Sequence, residues 1–150
     1  MRVQKFHLAQ INIGKAKSTM DSETMRGFVD RLDEINQLAD TSPGFVWRLK
    51  DGDNAVSLSV YEDPAIIVNM SVWEDLETLK NYVYRSVHIE LLKERSSWFN
   101  KMDEAHHTLW WIPASHTPSI DEGKERLKHF QDKGATEFAF NFVKNFPAPT

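Results

Sequence analysis

Residues 65–73 read AIIVNMSVW, a short apolar run rich in β-branched side chains. Such a run predicts a β-strand, in which successive side chains point to opposite faces of the sheet. One face is purely apolar and suits packing beneath helices; it carries Ile66, Val68, Met70 and Val72. The other face mixes polar groups with an indole ring; it carries Ile67, Asn69, Ser71 and Trp73. An apolar surface with a few hydrogen-bonding groups is typical of a small-molecule site, so the second face predicts a pocket wall.

Residues 3–13 alternate in the same way and predict a first strand that ends at Gly14. One of its faces carries Phe6, Leu8, Gln10 and Asn12, and the other carries His7, Ala9, Ile11 and Ile13. We therefore expect the polar groups of both strands to meet at one cavity, formed by Gln10, Asn12, Asn69, Ser71 and Trp73. The alternative is that Asn69 and Ser71 form hydrogen bonds locally within the fold or across a dimer.

Helical periodicity predicts three helical regions between the strands. The first follows an N-cap at Asp21 or Ser22, and the second has a break near Ser86. The third begins at Thr117-Pro118, with threonine as the N-cap and proline at the first helical position, and ends at Gly134. The remaining strands are predicted at residues 45–49, 55–61, 108–112 and 138–142.

This order of elements matches an α+β fold, a ferredoxin-like βαββαβ antiparallel sheet with an appended αβ unit. We interpret residues 1–150 as a single domain. Helices would cover one face of the sheet and leave the other face, rich in aromatic side chains, open to water. Because contiguous apolar patches mark interfaces, we expect two chains to pair through these faces. The expected assembly is a homodimer, a dimeric α/β barrel whose paired sheets enclose the pocket.

Composition narrows the possible functions. The 150-residue chain has a formal net charge of −4 and no stripe of Lys and Arg, so we expect no nucleic-acid partner. No apolar run approaches the roughly 18 residues that span a bilayer, so we expect no membrane partner. The N-terminal stretch is too short and too polar for a signal peptide and the chain has no cysteine, so we expect a cytoplasmic protein. The absence of cysteine excludes disulfides, thiolate metal sites and a cysteine nucleophile. The motifs of serine hydrolases, P-loop nucleotidases, Rossmann dinucleotide-binding domains and H-E-x-x-H zinc proteases are absent.

Several basic side chains outside the pocket strands are candidate site residues. His88 lies on the apolar stripe of its helix and suits a core residue, a general acid–base or an axial ligand to a haem iron. Arg95, two turns further on, can pair with an anionic substrate group or with a nearby carboxylate. His116 lies in a loop after a Trp-rich strand and is a candidate at the pocket mouth. His106 and His107 are adjacent, so their rings diverge in a strand, and we predict no metal site.

Five stretches resemble the family called domain of unknown function 3291, and the resemblance extends over about residues 5–149. They are LAQIN at 8–12, SPGFVWRL at 42–49, VNMSVWE at 68–74, WWIPASHTP at 110–118 and FPAP at 146–149. The resemblance implies a place in the dimeric α/β-barrel superfamily, alongside the antibiotic biosynthesis monooxygenases. It implies no activity, because the activity of the family is unassigned.

The wider superfamily adds two analogies at the level of the fold. Its cofactor-free monooxygenases use an Asn and a Trp four residues later on one strand, and Asn69 and Trp73 have this spacing. Its haem-degrading members use an Asn on the first strand, a Trp on the third and a His on the following helix. Asn12, Trp73 and His88 are similar in placement, with a longer interval between the Trp and the His.

We therefore expect a cofactor-independent, monooxygenase-like enzyme that acts on an aromatic or hydrophobic small molecule. The residues expected to act in catalysis are Asn69, Trp73 and His88, with Trp73 stacked on the substrate ring and His88 moving a proton. The residues expected to bind substrate are Gln10, Asn12, Ser71, Arg95 and His116. The alternatives are a haem-binding or haem-degrading protein, a non-catalytic ligand-binding module and a purely structural dimerisation module.

Overall fold

An antiparallel sheet with helices on both of its faces is formed by the residues that the computed structural model describes, namely 5–19, 21–49, 65–84, 94–102 and 104–149. The strands are β1 (Phe6–Ala16), β2 (Phe45–Arg48), β3 (Ile66–Trp73), β4 (Phe99–Asn100) and β5 (His107–Pro113). The helices are α1 (Arg26–Asp40), α2 (Leu76–Val83) and α3 (Ile120–Lys133). Residues 94–98 form a further short helical segment before β4.

Strand β1 lies in the middle of the sheet. It pairs with β3 on one side and with β5 and the short β4 on the other, while β2 pairs with the outer edge of β3. All of these pairings are antiparallel. The order β2-β3-β1-β5 is that of two interleaved split βαβ units, so the prediction of a ferredoxin-like α+β fold is confirmed.

Several predicted element boundaries are wrong. Strand β1 continues past Gly14 to Ala16. Helix α1 has Met25 as its N-cap, because residues 21–25 form a turn in which the Ser22 hydroxyl accepts a hydrogen bond from the Met25 N–H at 3.3 Å. Helix α3 is capped by Ser119, whose side chain accepts from the Glu122 N–H at 3.1 Å, and not by Thr117. It ends as predicted at Gly134, where φ is +77°.

The predicted last strand at residues 138–142 is reduced to a single bridge. Phe140 and Leu109 exchange two backbone hydrogen bonds of 2.8 and 2.9 Å, and the neighbouring residues are irregular. The predicted strand at 55–61 and the predicted break near Ser86 lie outside the described residues.

Helices α1 and α2 cover one face of the sheet, and α3 covers the other. The face beneath α3 is apolar and buried, and Leu127 of α3 packs on it; its sheet residues include Ala9, Ile11, Val68, Met70, Val72, Trp110 and Ile112. Gly123 allows close contact, because a Cβ atom there would lie 2.9 Å from Cδ1 of Ile11. The sheet face that was expected to need a second chain, the one that carries Asn69, Ser71 and Trp73, is covered by α1 and α2, while the appended helix covers the opposite face. The premise of the dimer argument is wrong, and the homodimer itself stays a prediction.

Trp110 and Trp111 point to opposite sides of the sheet, as strand alternation predicts. Trp110 is fully buried beneath α3, and its indole N–H donates to Glu122 Oε2 at 2.8 Å. Trp111 lies on the side of the C-terminal segment and donates to the Phe146 carbonyl at 2.9 Å. Within the described parts of the chain, no helix is both long enough and apolar enough to cross a membrane.

Candidate functional site

A cavity of about 360 Å³ lies between the sheet and helices α1 and α2. Its volume falls in the range of about 300–1,000 Å³ typical of small-molecule sites. The cavity is formed within one chain, so the expectation of a pocket enclosed between paired sheets is wrong. The physical reason is that the polar faces of β1 and β3 point toward α1 and α2, while α3 takes the purely apolar face.

The floor of the cavity is a row of polar side chains from the two central strands. Antiparallel pairing places Gln10 opposite Ser71, and Asn12 opposite Asn69, so all four share one face. The Gln10 amide nitrogen donates to Asn69 Oδ1 and to Ser71 Oγ, both at 2.8 Å. The strand alternation read from the sequence is therefore confirmed.

Part of this floor has no hydrogen-bond partner within the described chain. Asn12 Oδ1 is buried and accepts no hydrogen bond there. Asn69 is exposed, and its Oδ1 is occupied by Gln10 while its amide N–H groups remain available. Leaving a buried acceptor unsatisfied costs about 1–3 kcal/mol, so a ligand that donates to Asn12 would recover that free energy.

Trp73 does not line the cavity, and this corrects the expectation that its ring stacks on a substrate. The ring is fully buried, stacked on Tyr82 at 4.9 Å between centroids and edge-on to Phe45 at 5.5 Å. Its indole N–H donates to Ser71 Oγ at 2.9 Å. Trp73 therefore acts on the cavity only indirectly, by holding Ser71 and by supporting Tyr82, which does line it.

The roof of the cavity comes from α1 and α2. Residues on one side of α1 face the sheet at helical spacing: Phe28, Leu32, Ile35, Asn36 and Ala39. From α2, Tyr82 reaches the lining, and burial raises the pKa of its phenol to about 12, so the hydroxyl is neutral at neutral pH. Sequence reasoning missed Asn36 and Tyr82, although a polar Asn on an apolar helical stripe is a readable signal.

The far end of the cavity is formed by side chains from the segments 94–102 and 104–107. Trp98 and Phe99 pack with Phe28 there, at centroid distances of 5.7 and 5.0 Å from its ring. His106 and His107 both line the cavity, and the ring of His107 stacks on Phe142. Burial and the nearby positive charge of Arg95 lower the pKa of His106, so its imidazole is neutral at pH 7 and can accept a proton.

Two arginines reach the cavity, and their surroundings differ. Arg48 is held by Asp40 through two hydrogen bonds, Nε to Oδ1 at 2.7 Å and Nη2 to Oδ2 at 3.2 Å. Arg95 has no carboxylate within ion-pair distance in the described chain, and its guanidinium carbon lies 5.2 Å from the centre of the Phe99 ring. The described residues contain no cluster of three potential metal ligands, and the absence of a metal site stays a prediction.

His116 lies away from the cavity, which corrects its expected place at the pocket mouth. Its Nε2 atom lies 2.6 Å from Oε1 of Glu122 in the first turn of α3. The other carboxylate oxygen of Glu122 accepts from Trp110 on the opposite side of the sheet from the cavity. This cluster joins α3 to β5. His88 lies outside the described residues, and its role stays a prediction.

The Glu122 cluster predicts a pH-dependent contribution to stability. Burial by itself raises the pKa of Glu122. The hydrogen bonds from His116 and Trp110 and the charge of Arg126 lower the pKa by more than burial raises it, so the net pKa lies below the usual 4.5. A carboxyl with a depressed folded pKa stabilises the fold above its unfolded pKa and loses that contribution as pH falls through its folded pKa. Glu122→Gln should therefore lower the free energy of unfolding by about 1 kcal/mol at pH 7, and by less near pH 3.

Urea unfolding followed by circular dichroism at both pH values checks this prediction. Glu125→Gln is the matched control, because Glu125 is exposed on the same helix. An equal loss of stability at pH 7 and pH 3 for Glu122→Gln would show that the carboxylate charge does not stabilise the α3 contact.

Comparison with known proteins gives the family and the fold. No curated protein sequence matches the chain. Among solved structures, a candidate antibiotic biosynthesis monooxygenase from Nitrosomonas europaea has a TM-score of 0.51 at 8% identity, covering 79% of this chain and 99% of its own. SnoaB, a cofactor-independent oxygenase from Streptomyces nogalater, has a TM-score of 0.46 at 12% identity, covering 74% and 95%. A protein of unknown function from Nitrosomonas europaea has a TM-score of 0.49 at 13% identity, covering 78% and 99%.

At these identities the structural likeness describes the fold alone. The sequence match covers more of the chain than the structural matches do. Residues 7–150 match one family, which is described as a domain of unknown function. The sequence motifs, the antiparallel β2-β3-β1-β5 order and this match agree. The chain belongs to the DUF3291 family.

Proposed function

We propose that the protein is a cofactor-independent monooxygenase that acts on an aromatic or hydrophobic small molecule bound in the cavity. The observation that carries the proposal is the amide oxygen of Asn12, which is buried beside Asn69 in a cavity with aromatic walls and accepts no hydrogen bond from any described residue. Such a site offers hydrogen bonds to a substrate oxygen and apolar contact to its rings. A fold shared with a candidate antibiotic biosynthesis monooxygenase is compatible with this activity.

The reaction needs a base and an oriented substrate. A substrate with an acidic phenol or activated methylene loses a proton to a neutral imidazole, and His106 is the described side chain that fits this role. The resulting carbanion adds to O₂ with formation of a C–O bond, and the peroxide takes back the proton from the imidazolium. Loss of water then breaks the O–O bond and the remaining C–H bond, so that a CH₂ group and O₂ become a C=O group and water. The amides of Asn69 and Asn12 would hold the substrate oxygen during these steps, while the aromatic walls exclude bulk water.

The non-catalytic alternative uses the same cavity without turnover. It predicts ligand binding and no oxygen consumption. A cavity of about 360 Å³ argues against the purely structural alternative, which needs a filled interior. The haem alternative depends on His88 and stays a prediction.

Oxygen uptake with hydroxylated naphthalenes and anthrones tests the proposal. We expect His106→Ala to lower kcat about 100-fold, because a positioned general base contributes roughly 10²–10⁴-fold to rate. Asn69→Ala should raise KM about tenfold through the loss of hydrogen bonds to substrate. His129→Ala is the matched control and should leave both constants unchanged. His129 lies on α3, on the opposite side of the sheet from the cavity, and its ring forms a hydrogen bond with Thr136.

No uptake with any substrate of this class would contradict the oxygenase proposal. Uptake that survives in both His106→Ala and Asn69→Ala would place the reaction elsewhere on the protein.

A further inference from the structure

The electrostatic character of the cavity differs from that of the whole chain. The protein has a formal net charge of −4, yet no Asp or Glu side chain belongs to the described lining of the cavity. Two of the lining residues are arginines, and the charge of one of them, Arg48, is balanced by Asp40 at 2.7 Å. The described part of the lining therefore carries one unbalanced positive charge, that of Arg95.

Arg95 lines the cavity but forms no ion pair with a described residue, so its guanidinium can bind an anionic ligand. Its neighbour Glu94 is directed to Arg31 of α1, with 3.7 Å between the Arg31 Nη1 and Glu94 Oε2 atoms. The guanidinium packs on the face of Phe99, which fixes its position against an aromatic wall of the cavity. Burial lowers the pKa of Arg95, so part of its hydration is already lost. Desolvated charge without a partner is costly, and an anionic ligand would offset that cost.

The rest of the lining suits the body of such a ligand. Aromatic side chains line the same cavity, namely Phe28, Trp98, Phe99 and Phe142, and Phe99 contacts the Arg95 guanidinium. The amide row on β1 and β3 supplies neutral donors and acceptors on the floor. A planar aromatic molecule with one anionic oxygen group would contact all three features: the guanidinium, the rings and the amides.

We propose that the cavity selects aromatic molecules that carry an anionic oxygen group, either a carboxylate or an ionised phenol, with Arg95 as the counter-ion. This inference deepens the proposed function and rests on it only in using the same cavity. If turnover occurs, the reacting species enters the site already charged or is stabilised as an anion by Arg95. Guanidinium groups bind such oxygens through charge-assisted hydrogen bonds, and bidentate binding favours the carboxylate.

Titration calorimetry with matched ligand pairs tests the inference without any oxygen measurement. The probes are 2-naphthoate against 2-naphthamide, and an acidic nitronaphthol against its methyl ether, each with one-ring and three-ring analogues. We expect the anion of at least one pair to bind the wild-type protein tenfold or more tightly than its neutral partner. The carboxylate and phenolate arms show which anionic oxygen group is preferred.

Variants of Arg95 then assign the preference to one side chain. Arg95→Met keeps much of the apolar stem and should weaken anion binding roughly 10- to 100-fold, while changing the affinity for the neutral partner little. Arg95→Lys should restore part of the preference. Arg26→Gln removes the same charge from an exposed position on α1 and should leave the preference unchanged.

Equal affinity for anion and neutral partner in the wild-type protein, or no binding by any ligand of the series, would overturn the inference. Because this comparison uses only the wild-type protein, it tests the inference even if the Arg95→Met variant does not fold. Anion-selective binding without oxygen uptake would support this inference and contradict the proposed oxygenase activity, so the two can fail separately.

Discussion

Replacing Trp73 with alanine is expected to lower the free energy of unfolding by about 3–5 kcal/mol, the usual cost of truncating a buried tryptophan. The ring is fully buried in a cluster with Leu8, Leu79 and Phe140. It also donates a hydrogen bond to Ser71 and stacks on Tyr82. Because small domains are stable by only about 5–15 kcal/mol, the loss is a large fraction of the total. Urea unfolding followed by far-ultraviolet circular dichroism measures it.

The Trp73→Phe variant separates the packing of this ring from its hydrogen bond. It keeps most of the ring volume and removes the indole N–H, so we expect a loss of roughly 1–2 kcal/mol. A loss below 1 kcal/mol for Trp73→Ala would mean that the ring is not part of the core, and the direct substrate contact expected from the sequence would regain support.

Gly44→Ala is expected to destabilise the protein by roughly 2–5 kcal/mol, for two reasons that add. Gly44 has φ of +82°, a left-handed conformation that costs other residues about 1–2 kcal/mol. In addition, a Cβ atom at this position would overlap the Cβ and Cγ2 atoms of Thr78. Overpacking of this kind costs about 1–3 kcal/mol.

The overlap with Thr78 cannot be relieved by a side-chain rotation alone. Thr78 belongs to the capping box of α2, where its N–H donates to the Asp75 carboxylate at 2.8 Å. The Gly44 carbonyl also accepts from the Glu74 N–H at 2.7 Å, which ties the two segments together. The first turn of α2 would have to move, and α2 carries Tyr82 into the cavity wall. Ligand binding should therefore weaken together with stability.

Gly134→Ala is the matched control for Gly44→Ala. Gly134 has a similar φ of +77°, and nothing lies within 4 Å of the added Cβ position. We expect only the backbone term there, about 1–3 kcal/mol, because ψ of −167° places Gly134 in a region that residues other than glycine rarely adopt. If urea titration gave equal losses of unfolding free energy for the two variants, the Thr78 side chain would have moved away from the new Cβ atom at no cost in stability.

Strand alternation explains what could be read from the sequence about the cavity floor. The faces of β1 and β3 follow from a local rule, because side chains of a strand alternate whatever surrounds it. Gln10, Asn12, Asn69 and Ser71 were therefore placed on one surface correctly. The element order led to the ferredoxin-like sheet by a similarly general rule about split βαβ connections.

Whether a side chain on this face is buried in the core or lines the cavity does not follow from strand alternation. Alternation assigns Trp73 to the polar face, but it does not say which part of that face meets a helix and which part meets a cavity. The stacking of Tyr82 and the edge of Phe45 decide that Trp73 is core. His116 was misplaced for a related reason, since its partner Glu122 comes from a helix whose docking side the sequence does not state.

The sequence by itself determined the α+β class, the polar face of the two central strands and the family, because each depends on local periodicity or on motifs along the chain. Only the tertiary structure decided that α3 covers the apolar face, that the cavity lies within one chain and that Arg95 reaches it without a described carboxylate partner. These depend on contacts between segments far apart in the chain. Such contacts are chosen by packing and burial over the whole molecule, which no local pattern encodes.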